Sequence, residues 1–170
     1  MRAVAAGLLG IFLFIGTARA YDLSSPRSVP DDQRSVALSA EKDIDAGRYD
    51  SAAAKFETIA AKYPDCLYAW GNLGVIRSEQ GRIGEACRAF KQATRVSPHD
   101  AVSQMHLGMC YFEMRKYNEA ISPFEHAEAI NPANSNVHAY LARCYQKVGR
   151  MNEAEKERQA ENVGQMDTYR

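Results

Sequence analysis

From residue 33 onward, apolar positions cluster three and four apart along one short segment, break, and cluster again along the next. Leu107, Gly108 and Tyr111 share one helical face; after the break, Ala120, Phe124 and Ala127 share another. This spacing predicts two amphipathic helices joined by a tight turn. The break itself recurs. GRYDSA at 47–52, GRIGEA at 81–86, RKYNEA at 115–120 and GRMNEA at 149–154 begin 34 residues apart each time. Self-similarity at a fixed period of this length predicts an array of helix pairs rather than a single closed core.

Within that pattern Gly47, Gly81 and Gly149 fall where the first helix of a pair must end, and fit a left-handed C-cap. Arg115 occupies the same position in the third pair and is expected to be strained by on the order of 1 kcal/mol if it adopts that conformation. Pro64, Pro98 and Pro132 stand where the second helices must stop, since a proline nitrogen cannot continue the hydrogen-bond ladder. Pro123, inside a second helix, is expected to kink its outer face.

At a 34-residue period the units are 33–66, 67–100, 101–134 and 135–168. The second contains Trp70, Leu73, Gly74, Ala86, Phe90, Ala93 and Pro98; the third contains Leu107, Gly108, Tyr111, Ala120, Phe124, Ala127 and Pro132. These residues resemble the tetratricopeptide repeat family at seven of eight signature positions in each central unit. The outer units match less well. The first keeps Ala40, Ala52, Phe56 and Pro64 but has Val36 and Ser39; the fourth keeps Leu141, Tyr145 and Ala154, with Ala142 in place of the glycine. The resemblance implies an all-α, right-handed superhelical solenoid of four helix-turn-helix units, with first helices lining a concave groove. The charged segment from Glu153 reads as a polar capping helix, because Glu155 and Asn162 stand where earlier units have interface residues such as Ile121.

The N-terminus changes the expected compartment. Residues 1–20 combine Arg2, an apolar run and Ala18-Arg19-Ala20, the pattern of a secretory signal peptide cleaved before Tyr21. The apolar run is shorter than the roughly 20 residues a membrane-spanning helix needs. Residues 21–32, with two prolines and no apolar period, read as a linker. The whole chain has 21 basic and 21 acidic residues, and removing the signal takes Arg2 and Arg19, leaving the remainder slightly acidic. Such a balance gives no reason to expect nucleic acid or an anionic membrane as a partner, and no stretch after the signal is apolar enough to span a membrane. The expected location is exported, either periplasmic or secreted.

Candidate chemistry is sparse. His99, His106, His126 and His138 form no metal-ligand spacing, the four cysteines contain no C-x-x-C, and neither a phosphate loop nor G-x-S-x-G is present. The expectation is therefore no enzyme, no cofactor and no metal. In an oxidising compartment the resemblance implies one covalent link, a disulfide between Cys87 and Cys110, which would face each other across two units. Cys66 and Cys144 have no evident partner.

The resemblance also locates an inner groove. Its positions hold Arg34, Glu41 and Asp45 in unit one; Tyr68, Val75, Ser78 and Glu79 in unit two; Val102, Met105, Met109, Phe112 and Glu113 in unit three; and Asn136, Arg143, Gln146 and Lys147 in unit four. Its middle is apolar and its ends are charged, which predicts an exposed patch of Val75, Val102, Met105, Met109 and Phe112 for an amphipathic helix or extended peptide of a protein partner. A clamp for acidic chaperone tails is disfavoured, since its positions read Ala37, Glu41, Val102 and His106, with only Asn72 fitting. The expected role is an exported adaptor or assembly factor; the alternative is a cytosolic chaperone for secreted or effector proteins.

Overall fold

A computed structural model describes residues 29–167, with side chains from 29 to 161. The expected signal peptide and most of the expected linker lie outside the described residues. Eight helices follow in order: α1 Arg34–Asp45, α2 Tyr49–Lys62, α3 Leu67–Glu79, α4 Ile83–Val96, α5 Ala101–Glu113, α6 Tyr117–Ile130, α7 Ser135–Lys147 and α8 Met151–Asp167. Each packs mainly on its immediate neighbours in sequence. The result is an all-α solenoid of four helix pairs, and no strand occurs among the described residues.

Each pair turns in the same way. Gly47, Gly81 and Gly149 have φ of 70°, 71° and 82°, and Arg115 has φ of 58°. The residue after each sends its N–H five residues back, as in Arg82 to Arg77 at 2.8 Å and Lys116 to Tyr111 at 2.9 Å. This closes the helix C-terminus and reverses the chain. The positive φ expected of Arg115 is therefore present.

Gly74 and Gly108 let the paired helices touch. A Cβ at Gly74 would stand 2.7 Å from the Phe90 ring, and one at Gly108 would stand 2.8 Å from Phe124. In unit four the matching positions are Ala142 and Arg158, so the glycine and the ring it accommodates are replaced together. Burial follows: Phe56, Phe90, Phe124, Ile59, Ile76 and Leu141 are fully enclosed, each side chain contributing about 1.5–3 kcal/mol of hydrophobic stabilisation.

Two charged residues replace the signature tyrosine in the first two units. Asp43, 5% exposed, accepts from Arg48 Nη2 at 2.6 Å, Ser51 Oγ at 2.5 Å and Lys55 Nζ at 2.6 Å. Arg77 spans units, with Nη2 2.5 Å from Glu57 of α2 and Nε 3.3 Å from Glu85 of α4. Both form fully partnered networks where Tyr111 and Tyr145 place rings in the later units. Partnering is what makes such burial tolerable.

Two expectations are corrected. The end of the expected linker is packed: Val29 is buried in the first core, Asp31–Gln33 forms a 3-10 turn, and Asp32 receives bonds from Lys62 Nζ at 2.5 Å and the Tyr63 hydroxyl at 2.8 Å. The reason lies in the period, because Pro30 stands 34 residues before Pro64 and behaves as a repeat boundary. Pro123, in turn, lies on a buried side of α6, not on its outer face, and the helix runs through it. At the other end, α8 forms the second member of the fourth pair and presents the exposed Glu155 where Ile121 is buried in α6.

Candidate functional site

The first helices α1, α3, α5 and α7 carry the predicted groove positions, and their side chains sit at unequal depth. Val75 is 3% exposed and belongs to a core cluster with Ala86, Cys87, Phe90, Leu107 and Cys110. It is core, which corrects its placement in the apolar patch. Tyr68 is also buried, donating its hydroxyl to the Glu41 carboxylate and meeting Phe56 edge-on at 5.7 Å. Val102, Met105, Met109 and Phe112 are half-buried. The fully exposed apolar patch is thus a row of partly covered side chains.

That row is backed by aromatic rings. Phe112 contacts Tyr117 and Tyr140 edge-on, both at 5.3 Å, and Tyr140 stacks on Phe124 at 5.1 Å. Met105 accepts a contact from Asn134 Nδ2 at 3.8 Å. Around it lie polar groups: Ser78 and Glu79 half-buried, Glu113, Asn136, Arg143, Gln146 and Lys147 exposed. Burial pushes the Glu79 carboxyl above the usual carboxylate range. Arg143 sits 6.0 Å from the Tyr140 ring centre, and Gln146 accepts from Arg158 at 3.1 Å. Arg34 pairs with Asp31 at 3.3 Å, and Asp45 is exposed at the far end of α1.

Two residues were missed. Leu38, 44% exposed, and Tyr140 stand in the same repeat register as Asn72 and His106. Reading down that register would have found them. Asn72 is buried and donates to the Tyr68 carbonyl at 2.9 Å, so the single residue that fitted an acidic-tail clamp is committed to its own helix.

The Cys87–Cys110 disulfide implied by the resemblance is not formed: Cys66, Cys87, Cys110 and Cys144 are all free and buried. Cys87 and Cys110 do share one cluster, and both remain buried thiols within it. Burial, reinforced by the neighbouring Cys87, pushes the Cys110 thiol up to about 12. Thiol–disulfide exchange runs through the thiolate, so such a thiol is a poor participant.

Two histidines are buried: His106 has a structural place, and His138 alone departs from the expectation of no metal ligands. His106 is stacked on Phe90 at 4.8 Å, and burial pushes its pKa down to about 4. His138 on α7, Glu157 on α8 and Glu128 on α6 bring three potential ligand atoms within 4.8 Å of one another. No spacing rule reveals that cluster, because each residue comes from a different helix.

Four helix pairs, left-handed turns at a constant position and glycine–phenylalanine contacts at each central pair decide the fold. It is the tetratricopeptide repeat fold. The tetratricopeptide repeat profile matches residues 40–86, and that of the anaphase-promoting complex, cyclosome, subunit 3 family matches residues 79–157. Among solved structures, a crystal structure of MamA superposes with a TM-score of 0.76 at 20% identity, covering 92% of this chain and 91% of that one. MamA of Desulfovibrio magneticus RS-1 gives 0.74 at 14% identity, covering 81% and 77%. YrrB, described as a TPR protein with an unusual peptide-binding site, gives 0.72 at 15% identity, covering 79% and 70%. No curated protein matches the chain. These tetratricopeptide repeats belong to a fold that generally serves protein interaction, and no helix among the described residues is long and apolar enough to cross a membrane.

Proposed function

We propose that the protein is an exported, non-enzymatic interaction module that holds an amphipathic helix or extended peptide of a partner protein against its first helices. The observation that carries this reading is the half-buried row of Met105, Met109 and Phe112 on α5, backed by Tyr140 of α7 and ending at the exposed Arg143 and Lys147. Thioether and aromatic side chains present adaptable apolar surface, and the flanking charges set orientation more than affinity. A peptide-binding site in YrrB, a protein of similar fold, supports it. Residues 1–20 support export, which favours an adaptor or assembly role outside the cytoplasm over the cytosolic chaperone alternative.

The test is a panel of fluorescent peptides, apolar with acidic residues at one end, titrated against the purified chain. Met109→Ser with Phe112→Ser should weaken the best binder by more than tenfold, about 1.4 kcal/mol, with the helical circular dichroism signal kept. Arg143→Glu should weaken the acidic-ended peptides and leave neutral ones unchanged. Undiminished binding by the folded double variant places the partner on another surface.

A further inference from the structure

The sixth residue after Pro64, Pro98 and Pro132 reaches back to that proline's carbonyl. Trp70 Nε1 donates to Pro64 at 2.8 Å, Gln104 Nε2 to Pro98 at 2.9 Å, and His138 Nε2 lies 2.9 Å from the Pro132 oxygen. A carbonyl oxygen only accepts, and an indole nitrogen only donates. His138 therefore fills a donor position common to three units, and its Nε2 carries a proton.

The other ring nitrogen, Nδ1, then faces two carboxylates. It lies 2.7 Å from Glu157 Oε2 and 3.8 Å from Glu128 Oε1. The side chains of His138 and Glu157 are each 6% exposed, whereas Glu128 at 31% opens to water. A bare nitrogen lone pair against a buried carboxylate oxygen at that distance is repulsive, so a proton or a metal ion must lie between them. In the metal-free chain a proton serves.

We infer that Glu128, His138 and Glu157 form a binding site for a first-row divalent transition-metal ion of the zinc type. One nitrogen and two carboxylate oxygens suit such an ion, and are too few and too nitrogenous for calcium. The Pro132 carbonyl holding the far side of the ring is the outer support that metal-bound histidines require. Zinc bonds of about 2.0–2.2 Å are reached by rotating the two glutamates by around an ångström, Glu157 away from the ring and Glu128 toward it. The ion enters past Glu128, and bonds form to Nδ1 and to one oxygen of each glutamate. The Nδ1 proton leaves to water, and water molecules complete the coordination. No electron changes hands. The bound ion ties α6, α7 and α8 together, fixing the last unit on the third.

Zinc titration of the purified chain, by calorimetry and by thermal unfolding against a chelator-treated control, tests this. One ion per chain and a rise of several degrees in unfolding temperature are expected. His138→Gln is the sharpest variant, since Gln104 already makes the same carbonyl bond in unit three; it should keep the helical signal and lose zinc affinity at least tenfold. Glu128→Gln, at a half-exposed position, should fold normally and lose at least tenfold as well, and decides the matter if the histidine variant is unstable. Cobalt substituted for zinc should show no sulfur charge-transfer absorption. The inference is overturned by the absence of zinc binding at millimolar concentration, by binding undiminished in Glu128→Gln, or by sulfur bands, which would move the metal to the cysteines.

Discussion

Arg115 holds a left-handed backbone in the position where three other turns use glycine. A side chain there costs on the order of 1 kcal/mol, so Arg115→Gly should raise the melting temperature by roughly 2–4 °C. The opposite sign is expected at Gly108, where an alanine methyl would meet the Phe124 ring at 2.8 Å; Gly108→Ala should destabilise by about 1–3 kcal/mol, read by chemical denaturation. His106 gives a pH signature. Burial holds its folded pKa at about 4, below the unfolded value of roughly 6.5, so unfolding takes up a proton between those limits. Stability is full above the unfolded value and falls as pH drops toward about 4, by on the order of 3 kcal/mol. His106→Leu should flatten that limb of the melting profile. Asp43 acts in the same direction at lower pH. Bonds from Lys55, Ser51 and Arg48 hold its carboxyl well below the ordinary range, so its contribution is intact above about pH 4 and is lost as pH falls further. Asp43→Asn should lessen the acid loss that remains in His106→Leu.

At the scale of elements, the helix pairs and their turns were legible because the period holds at all four copies and glycine marks three of the four turns. The depth of a side chain on a first helix was not. Val75 and Met109 occupy the same repeat position, yet one is core and the other half-buried, because depth depends on which neighbour α4 or α6 supplies. The charged replacements Asp43 and Arg77 were likewise hidden, since their partners arrive from adjacent helices. Their energetic weight is testable. Arg77 ties α2, α3 and α4 through Glu57 and Glu85, and those carboxylates are partly solvated, so Arg77→Met should cost about 1–3 kcal/mol, less than the loss of a fully buried pair. The cluster of Glu128, His138 and Glu157 was illegible for the same reason, being assembled from three helices. Its one sequence signal is the shared register of Trp70, Gln104 and His138.

At the scale of the molecule, each described unit packs mainly on the units beside it in sequence, so each junction is a separate mating of two surfaces. At one pair of matching repeat positions, 34 residues apart from copy to copy, the residues sharing a core are Ala53 and Ile76, then Cys87 and Cys110, then Ile121 and Cys144. Small stands with large, medium with medium, and large with medium. The copies therefore resemble bricks cut for one place in one wall. Excising residues 67–100 would keep the period but bring Ala53 against Cys110, an underfilled seam; excising 101–134 would bring Cys87 against Cys144, nearly the native fit at Cys87 and Cys110. The second shortened chain should unfold in one cooperative step, while the first should unfold in two, its opening unit melting early. For any lineage that gained or lost copies by recombination, this order of volumes makes the boundary after unit two the permissive one.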